Sequence, residues 1–175
     1  VLSHIHHDHT GGLKGFLDRN SAVQVYLPAS FPDDFKRDVR KSGAEIVEVK
    51  GRCEICEGLY STGEMNGGVR EQSLICETPR GIVVITGCAH PGIVRIVEEA
   101  GKTGEDIYLV MGGFHLGGKS SEVLQNIVDR FKELGVAKVC PCHCTGGDAR
   151  ELFLKAYGEN CILGGVGSRL EVPVE

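Results

Sequence analysis

The 175-residue chain has 41% hydrophobic and 25% charged residues and a formal net charge of -5. That balance excludes a disordered chain, which lacks the apolar residues for a core, and a broad nucleic-acid face, which needs clustered Lys and Arg. No apolar run approaches the roughly 20 residues of a membrane span, and the length suits one domain, 1–175, better than two.

In chain order, aliphatic and β-branched runs predict strands at Val23–Tyr26, Ile46–Val49, Ser73–Glu77, Ile82–Ile85, Ile107–Val110 and Ala137–Val139. Shorter strands are expected near Cys161–Leu163 and Arg169–Val172. Helical periodicity is clearest over Ser120–Leu134, where Val123, Leu124, Ile127, Val128, Phe131 and Leu134 line one face. Ser120 or Ser121 can cap this helix, and Gly135 ends it. A second helix spans Ile93–Ala100, and weaker patterns cover Gly12–Leu17, Phe31–Lys41 and Asp148–Tyr157. The alternation predicts an α/β protein with helices covering mixed sheets. Gly58–Gly68 reads as a glycine-rich loop that either crosses the mouth of a site or lies on the surface.

Eight cysteines include Cys53-x-x-Cys56 and the alternating Cys140, Cys142 and Cys144. Aliphatic residues suffice for a core, so a disulfide scaffold is disfavoured; buried thiols lead over a redox pair or a separate zinc site. The start of the chain does not resemble a signal peptide, and a cytoplasmic setting is expected.

The seven histidines are the informative residues. Ser3-His4-Ile5-His6-His7-Asp8-His9-Thr10-Gly11-Gly12 contains His4-x-His6-x-Asp8-His9. Neutral imidazoles and an ionised carboxylate are suitable zinc ligands. Alternation points His4 and His6 the same way along a strand, and Asp8 and His9 approach a second metal from the following turn. Asp8 is a candidate both for metal binding and, less strongly, for proton transfer. His7 falls between the ligand positions and faces away or supports them.

This segment resembles the metallo-β-lactamase-fold superfamily. The later phrases GLYSTGE, EQSLICETPRGIVVITGCAHPGI, GGFHL and CPCHCTG are similar to the branch associated with dihydropterin phosphate synthase. The resemblance implies an αββα sandwich with metals at loops along the edges of two packed sheets. Members of the family carry strands before the HxHxDH-like segment, so a partial sandwich lacking those early strands is expected. By resemblance, His90 completes a first site with His4 and His6, and His143 completes a second with Asp8 and His9. Each three-ligand set leaves room for water or substrate.

His115 falls where many members place a metal-bridging aspartate, which an imidazole cannot replace with two oxygens. It is read as a ligand to one metal, a partner of a substrate oxygen, a proton donor, or a satisfied loop histidine. Glu71 either joins the shell around the metals or solvates a strand start. Thr145 either orients His143, binds a phosphate oxygen, or serves turn chemistry. Tyr60, Thr62 and Glu64 either meet substrate or lie exposed.

The expected cofactors are one or two divalent metal ions, zinc first, with Fe or Mn also suited to these donors. The expected activity is hydrolysis of a small phosphorylated molecule such as a phosphodiester. The resemblance offers a dihydropterin–ribofuranosylaminobenzene phosphate synthase-like transfer instead, and the cysteines motivate a metal-binding or redox interaction domain. No extended nucleic acid and no membrane is expected as partner, and a homo-oligomer stays open.

Overall fold

The computed structural model describes residues 1–172. Two sheets form. β1 (Gln24–Pro28) and β2 (Glu45–Val49) make a parallel pair. β3 (Cys53–Cys56), β4 (Leu59–Ser61), β5 (Leu74–Thr78), β6 (Gly81–Thr86), β7 (Ile107–Gly113) and β8 (Lys138–Cys142) make a six-stranded sheet in that spatial order. It is antiparallel from β3 to β6 and parallel from β6 to β8.

Among the described residues, six α-helices complete the fold: α1 (His7–Thr10), α2 (Leu13–Leu17), α3 (Asp33–Lys41), α4 (Ile93–Gly101), α5 (Ser121–Glu133) and α6 (Gly147–Tyr157). α2 and α3 close over β1 and β2 through Leu17, Val39, Phe35, Val25 and Leu27. α4, α5 and α6 cover one face of the larger sheet, burying Ile82 and Val84 of β6 with Val110 of β7 and Val139 of β8. The alternate residues Val83, Leu109 and Cys140 pack on its opposite face, as strand alternation requires. With α2 and α3 on the small sheet and α4, α5 and α6 on the large one, the arrangement is a partial αββα sandwich.

The parallel strands matter most for the site. β6, α4, β7, α5 and β8 follow one another as two parallel crossovers, which brings the C-terminal ends of three strands to one edge. Ligand sites of open α/β sheets form at such edges. Thr86 pairs with Gly112, and Gly112 with Pro141, so the loops that follow begin side by side. β5 runs antiparallel to β6, and Leu74 pairs with Ile85; the residues just before β5 therefore reach the same edge.

A cluster of buried aromatic rings anchors this edge. Phe114, directly after β7, packs on Phe131 of α5 at 5.9 Å and on Phe153 of α6 at 5.4 Å between ring centroids. All three rings are almost fully buried. Truncating one such Phe costs about 3–5 kcal/mol. α5 starts with Ser120, whose hydroxyl accepts the Val123 amide, and this holds the helix that carries Phe131.

Several expectations differ from the structure. Leu2–His6 is not a strand; Leu2 donates its amide to the Tyr26 carbonyl, and α1 begins at His7. Cys53–Cys56 and Leu59–Ser61 are strands, so the glycine-rich segment opens as an edge hairpin. Cys161 makes a single bridge to Val139, and Arg169–Val172 has no strand partner among the described residues. Among the described residues, no helix is long and apolar enough to cross a membrane.

Candidate metal centre

Two clusters of donor atoms meet at the strand edge. His4, His6 and His90 form one, and Asp8, His9, Cys88 and His143 form the other; within each cluster every pair of donor atoms lies within 4.8 Å. His4 Nε2 stands 3.2 Å from His6 Nδ1, and the His90 ring centroid lies 4.7 Å from that of His4 and 4.9 Å from that of His6. The two clusters adjoin, because the His4 and His9 ring centroids are 4.2 Å apart.

In the second cluster, His9 Nε2 is 3.2 Å from His143 Nε2, 3.2 Å from Cys88 Sγ and 3.3 Å from Asp8 Oδ2. The Asp8 carboxylate is also 3.2 Å from His143 Nε2. A neutral ring nitrogen offers one proton or one lone pair, so it serves one of these partners and not three. In the first cluster, His90 Nε2 is buried with no hydrogen-bond partner among the described residues. A cation shared by each set satisfies both features, and the residues fit divalent metal ions.

The backbone explains how these side chains converge. α1 is a single turn that carries Asp8 and His9 on the stretch following His4 and His6. Ala89, His115 and His143 all have positive φ, at 60°, 52° and 47°. Such conformations are disfavoured for residues with a Cβ and persist where surrounding structure enforces them. All three lie in the turns that leave β6, β7 and β8.

Glu71 enforces one of those turns. Its Oε1 accepts backbone N–H groups from Gly87 at 3.1 Å, Cys88 at 2.8 Å and Ala89 at 3.0 Å; its Oε2 accepts that of His90 at 3.0 Å. The residue is 1% exposed, and Oε2 is also 3.8 Å from His4 Nδ1. Glu71 therefore sits behind the His4, His6 and His90 cluster and does not solvate a strand start. Gly87 is required in this turn, since a Cβ there would collide with the Ser3 hydroxyl and reach 3.0 Å from Glu71 Oε1.

Thr145 has a similar duty at the other turn. Its hydroxyl accepts the Phe114 amide at 3.1 Å and lies 2.6 Å from the Cys142 carbonyl, to which it donates. It is fully buried. The hydroxyl is engaged within the protein, so the geometry supports orientation of His143 and not a contact to phosphate.

His115 stands outside both clusters. It is exposed, with its ring centroid 4.5 Å from that of His90, and it lines a 260 Å³ cavity with Lys119, Arg95, Ile93, Phe114 and Leu116. The start of α4 opens onto the same cavity through Gly92 and Ile93. His7 lines a separate 620 Å³ groove against α3.

Tyr60, Thr62 and Glu64 lie away from these donors. Arg52 stacks over Tyr60, Thr62 is buried and accepts the Ser73 amide, and Glu64 pairs with Arg70 and the Ser30 amide. The far end of that segment does back the site, because Gly67 packs directly on the His90–Pro91 backbone.

Electrostatics match a cation site. Burial pushes the His4 imidazole down to about 4, against the opposing pull of Glu71, so it is neutral near pH 7. Burial also lowers His90. At Asp8, partial desolvation opposes the charge, but its own backbone amide and the His9 and His143 rings outweigh it and hold the carboxyl low. Burial, followed by its hydrogen bond with Cys144, pushes the Cys88 thiol up.

Cys88 is the residue that sequence reasoning missed as a donor. It lies two positions before His90 in the turn that follows β6, which was the available signal.

With this geometry in place, the comparisons identify the class. The chain matches the Metallo-beta-lactamase superfamily over residues 1–143, and it belongs to that superfamily. Among curated proteins, it is similar to a 7,8-dihydropterin-6-methyl-4-(beta-D-ribofuranosyl)-aminobenzene-5'-phosphate synthase of Methanocaldococcus jannaschii. The two are 28% identical over 91% of this chain and 70% of the relative. An uncharacterized protein of the same organism is 32% identical over 95% of this chain and 75% of its own. Among solved structures, Tm1679, a metal-dependent hydrolase of the beta-lactamase superfamily, superposes with a TM-score of 0.82 at 30% identity. That match covers 98% of this chain and 78% of Tm1679. An isothiocyanate hydrolase from Delia radicum gut bacteria shares the fold with a TM-score of 0.63 at 11% identity, over 98% of this chain and 75% of the hydrolase.

Proposed function

We propose that this protein is a metal-dependent hydrolase of a small phosphorylated molecule, with phosphodiesters as the leading substrate class. The observation that carries the reading is the three-imidazole set of His4, His6 and His90 beside a cavity that also holds His115 and Lys119. A divalent ion held by His4, His6 and His90 would supply Lewis-acid chemistry to that cavity.

The chain's own residues do the rest. Lys119, Arg95 and the N-terminal end of α4 give the cavity a positive potential within a protein of net charge -5, which favours a compact anion. Apolar Ile93, Phe114 and Leu116 exclude water from one wall. His115, whose ring neighbours His90 and lines the cavity, is the proposed proton donor to a leaving group. Glu71 holds His90 in place through the backbone, and Thr145 does so for the turn bearing His143. Asp8 serves as a ligand in preference to a proton carrier, given its contacts to both His9 and His143. Zinc is the proposed metal, in a cytoplasmic setting.

A second reading, transfer onto an aromatic acceptor with release of a phosphate-containing leaving group, is favoured by similarity to the Methanocaldococcus jannaschii synthase. The test is a panel of phosphodiesters, phosphomonoesters, thioesters and lactams with metal-loaded protein. Turnover of a phosphodiester that is abolished in His4→Ala and His90→Ala supports hydrolysis. Stoichiometric metal with no turnover across the panel overturns it.

A further inference from the structure

We propose that the cavity beside His90 holds a terminal phosphate of the substrate that does not itself react, gripped by the Arg95 guanidinium and the Lys119 ammonium. This rests on the hydrolase reading above. It narrows the substrate class to small molecules that carry a phosphate handle a few atoms from the bond that breaks.

The lining selects an anion. Arg95 and Lys119 face this cavity, and no Asp or Glu does. By contrast, the 620 Å³ groove against α3 carries Asp18 and Asp38, and a 350 Å³ cavity near the start of β7 carries Glu98, Glu105 and Asp106. In a chain with 24 acidic residues against 19 Lys and Arg, a hollow with cations and no carboxylate stands apart from its surroundings.

Arg95 is also held ready. Its Nη1 donates to the carbonyls of Asn66 and Pro91, each at 3.0 Å. Gly67 lets this segment lie on the His90–Pro91 backbone, since a Cβ there would fall 2.5 Å from the His90 carbonyl oxygen. Nη1 is thereby used, while Nε and Nη2 make no hydrogen bond among the described residues. That edge of a guanidinium can grip an oxyanion through two parallel bonds. A guanidinium already fixed through its other nitrogen loses little further freedom on binding. The Lys119 side chain likewise has no ion pair or hydrogen bond among the described residues. The free guanidinium edge and the ammonium together offer enough N–H groups for the three terminal oxygens of a phosphate, more than the two of a carboxylate require.

Size and place separate this anion from the reacting centre. At 260 Å³ the cavity falls below the roughly 300–1,000 Å³ of a pocket that encloses a whole ligand, so it takes one group of a larger molecule. Of His4, His6 and His90, only His90 lines it, so the group held there lies beside the imidazole cluster and not within it. Binding energy from such a remote group can be used at the reacting bond.

The test is titration calorimetry of the zinc-loaded chain with methylphosphonate as the phosphate probe and acetate as the carboxylate probe. Methylphosphonate is expected to bind more tightly than acetate. Arg95→Ala is expected to weaken methylphosphonate at least about tenfold, the worth of one hydrogen bond to a charged group. Arg95→Lys, which keeps the charge and loses the fork, is expected to restore little of it. Lys119→Ala is expected to weaken it too, and because Lys119 is exposed and ties no element down, this variant reads the anion alone. Loss in the Arg95 variants with Lys119→Ala unchanged overturns the proposal, since release of the Asn66 clamp by itself would produce that pattern. Methylphosphonate binding that survives in all three variants also overturns it, as does acetate binding as tightly as methylphosphonate. None of these results touches the hydrolase reading, which fails separately if methylphosphonate binds as expected and the substrate panel gives no turnover.

Discussion

Replacing Glu71 by Gln removes one carboxylate oxygen from a buried site where both are in use. The amide oxygen retains the N–H groups of Gly87, Cys88 and Ala89, and the NH₂ then faces the His90 N–H. That leaves one buried donor without an acceptor, at about 1–3 kcal/mol. The three retained bonds lose charge assistance, on the order of 1 kcal/mol each. Relief of the carboxylate's own desolvation offsets part of this, so the net expected loss is about 3–5 kcal/mol. In urea, with a slope near 2 kcal/mol/M for a small domain, the midpoint drops by about 2 M. The assay is urea unfolding of chelator-treated wild type and Glu71→Gln, followed by zinc titration. A midpoint shift below about 0.5 M together with unchanged zinc affinity would refute the claim that this carboxylate holds the His90 turn.

Other expectations follow from the same geometry. Gly87→Ala puts a methyl group against the Ser3 hydroxyl and Glu71, and zinc affinity is expected to fall at least about tenfold by competition with a chelator. Lys119→Ala is expected to raise KM for phosphorylated substrates several-fold with little change in kcat, as steady-state kinetics will show; an unchanged KM removes Lys119 from substrate binding. In metal-free protein, His4 titrates at about 4 when folded and at 6.5 in the unfolded reference. Between those values the unfolded chain takes up a proton that the folded chain does not. The His4 contribution to stability is therefore present above pH 6.5 and is lost as pH falls toward 4. At about 1.4 kcal/mol per tenfold in proton affinity, the ceiling is about 3 kcal/mol. Urea midpoints at pH 7.5, 5.5 and 4.5 are expected to fall more steeply in wild type than in His4→Gln, and equal slopes would contradict it.

Much of the fold is legible because strong local signals agree with tertiary packing. Ile82–Ile85 is a continuous apolar run and becomes the central strand β6, buried on both faces. Ser120, Leu124, Val128 and Phe131 place a cap and an apolar stripe at helical spacing, and α5 begins within one residue of that expectation. The misses are elements whose pairing lies elsewhere. Cys53–Cys56 alternates half-buried and exposed positions and is a strand through its pairing with β4, at the sheet edge. Arg169–Val172 alternates like a strand but finds no partner among the described residues.

At the candidate site, the motif spacing made four of the clustered donors readable, His4, His6, Asp8 and His9, and the family resemblance pointed to His90 and His143. Convergence of the turns after β6 and β8 depends on the parallel register of β6, β7 and β8, which no local pattern encodes. Cys88 was hidden among eight cysteines, of which three are buried. The four amides gathered by Glu71 were equally hidden, because its partners are backbone groups.

Anomalous scattering from crystals of zinc-loaded protein tests the central claim most directly. The account predicts two peaks, one within bonding distance of His4, His6 and His90 and the other within bonding distance of Asp8, His9 and His143. Well-ordered crystals in excess zinc with no peak near either set would contradict it.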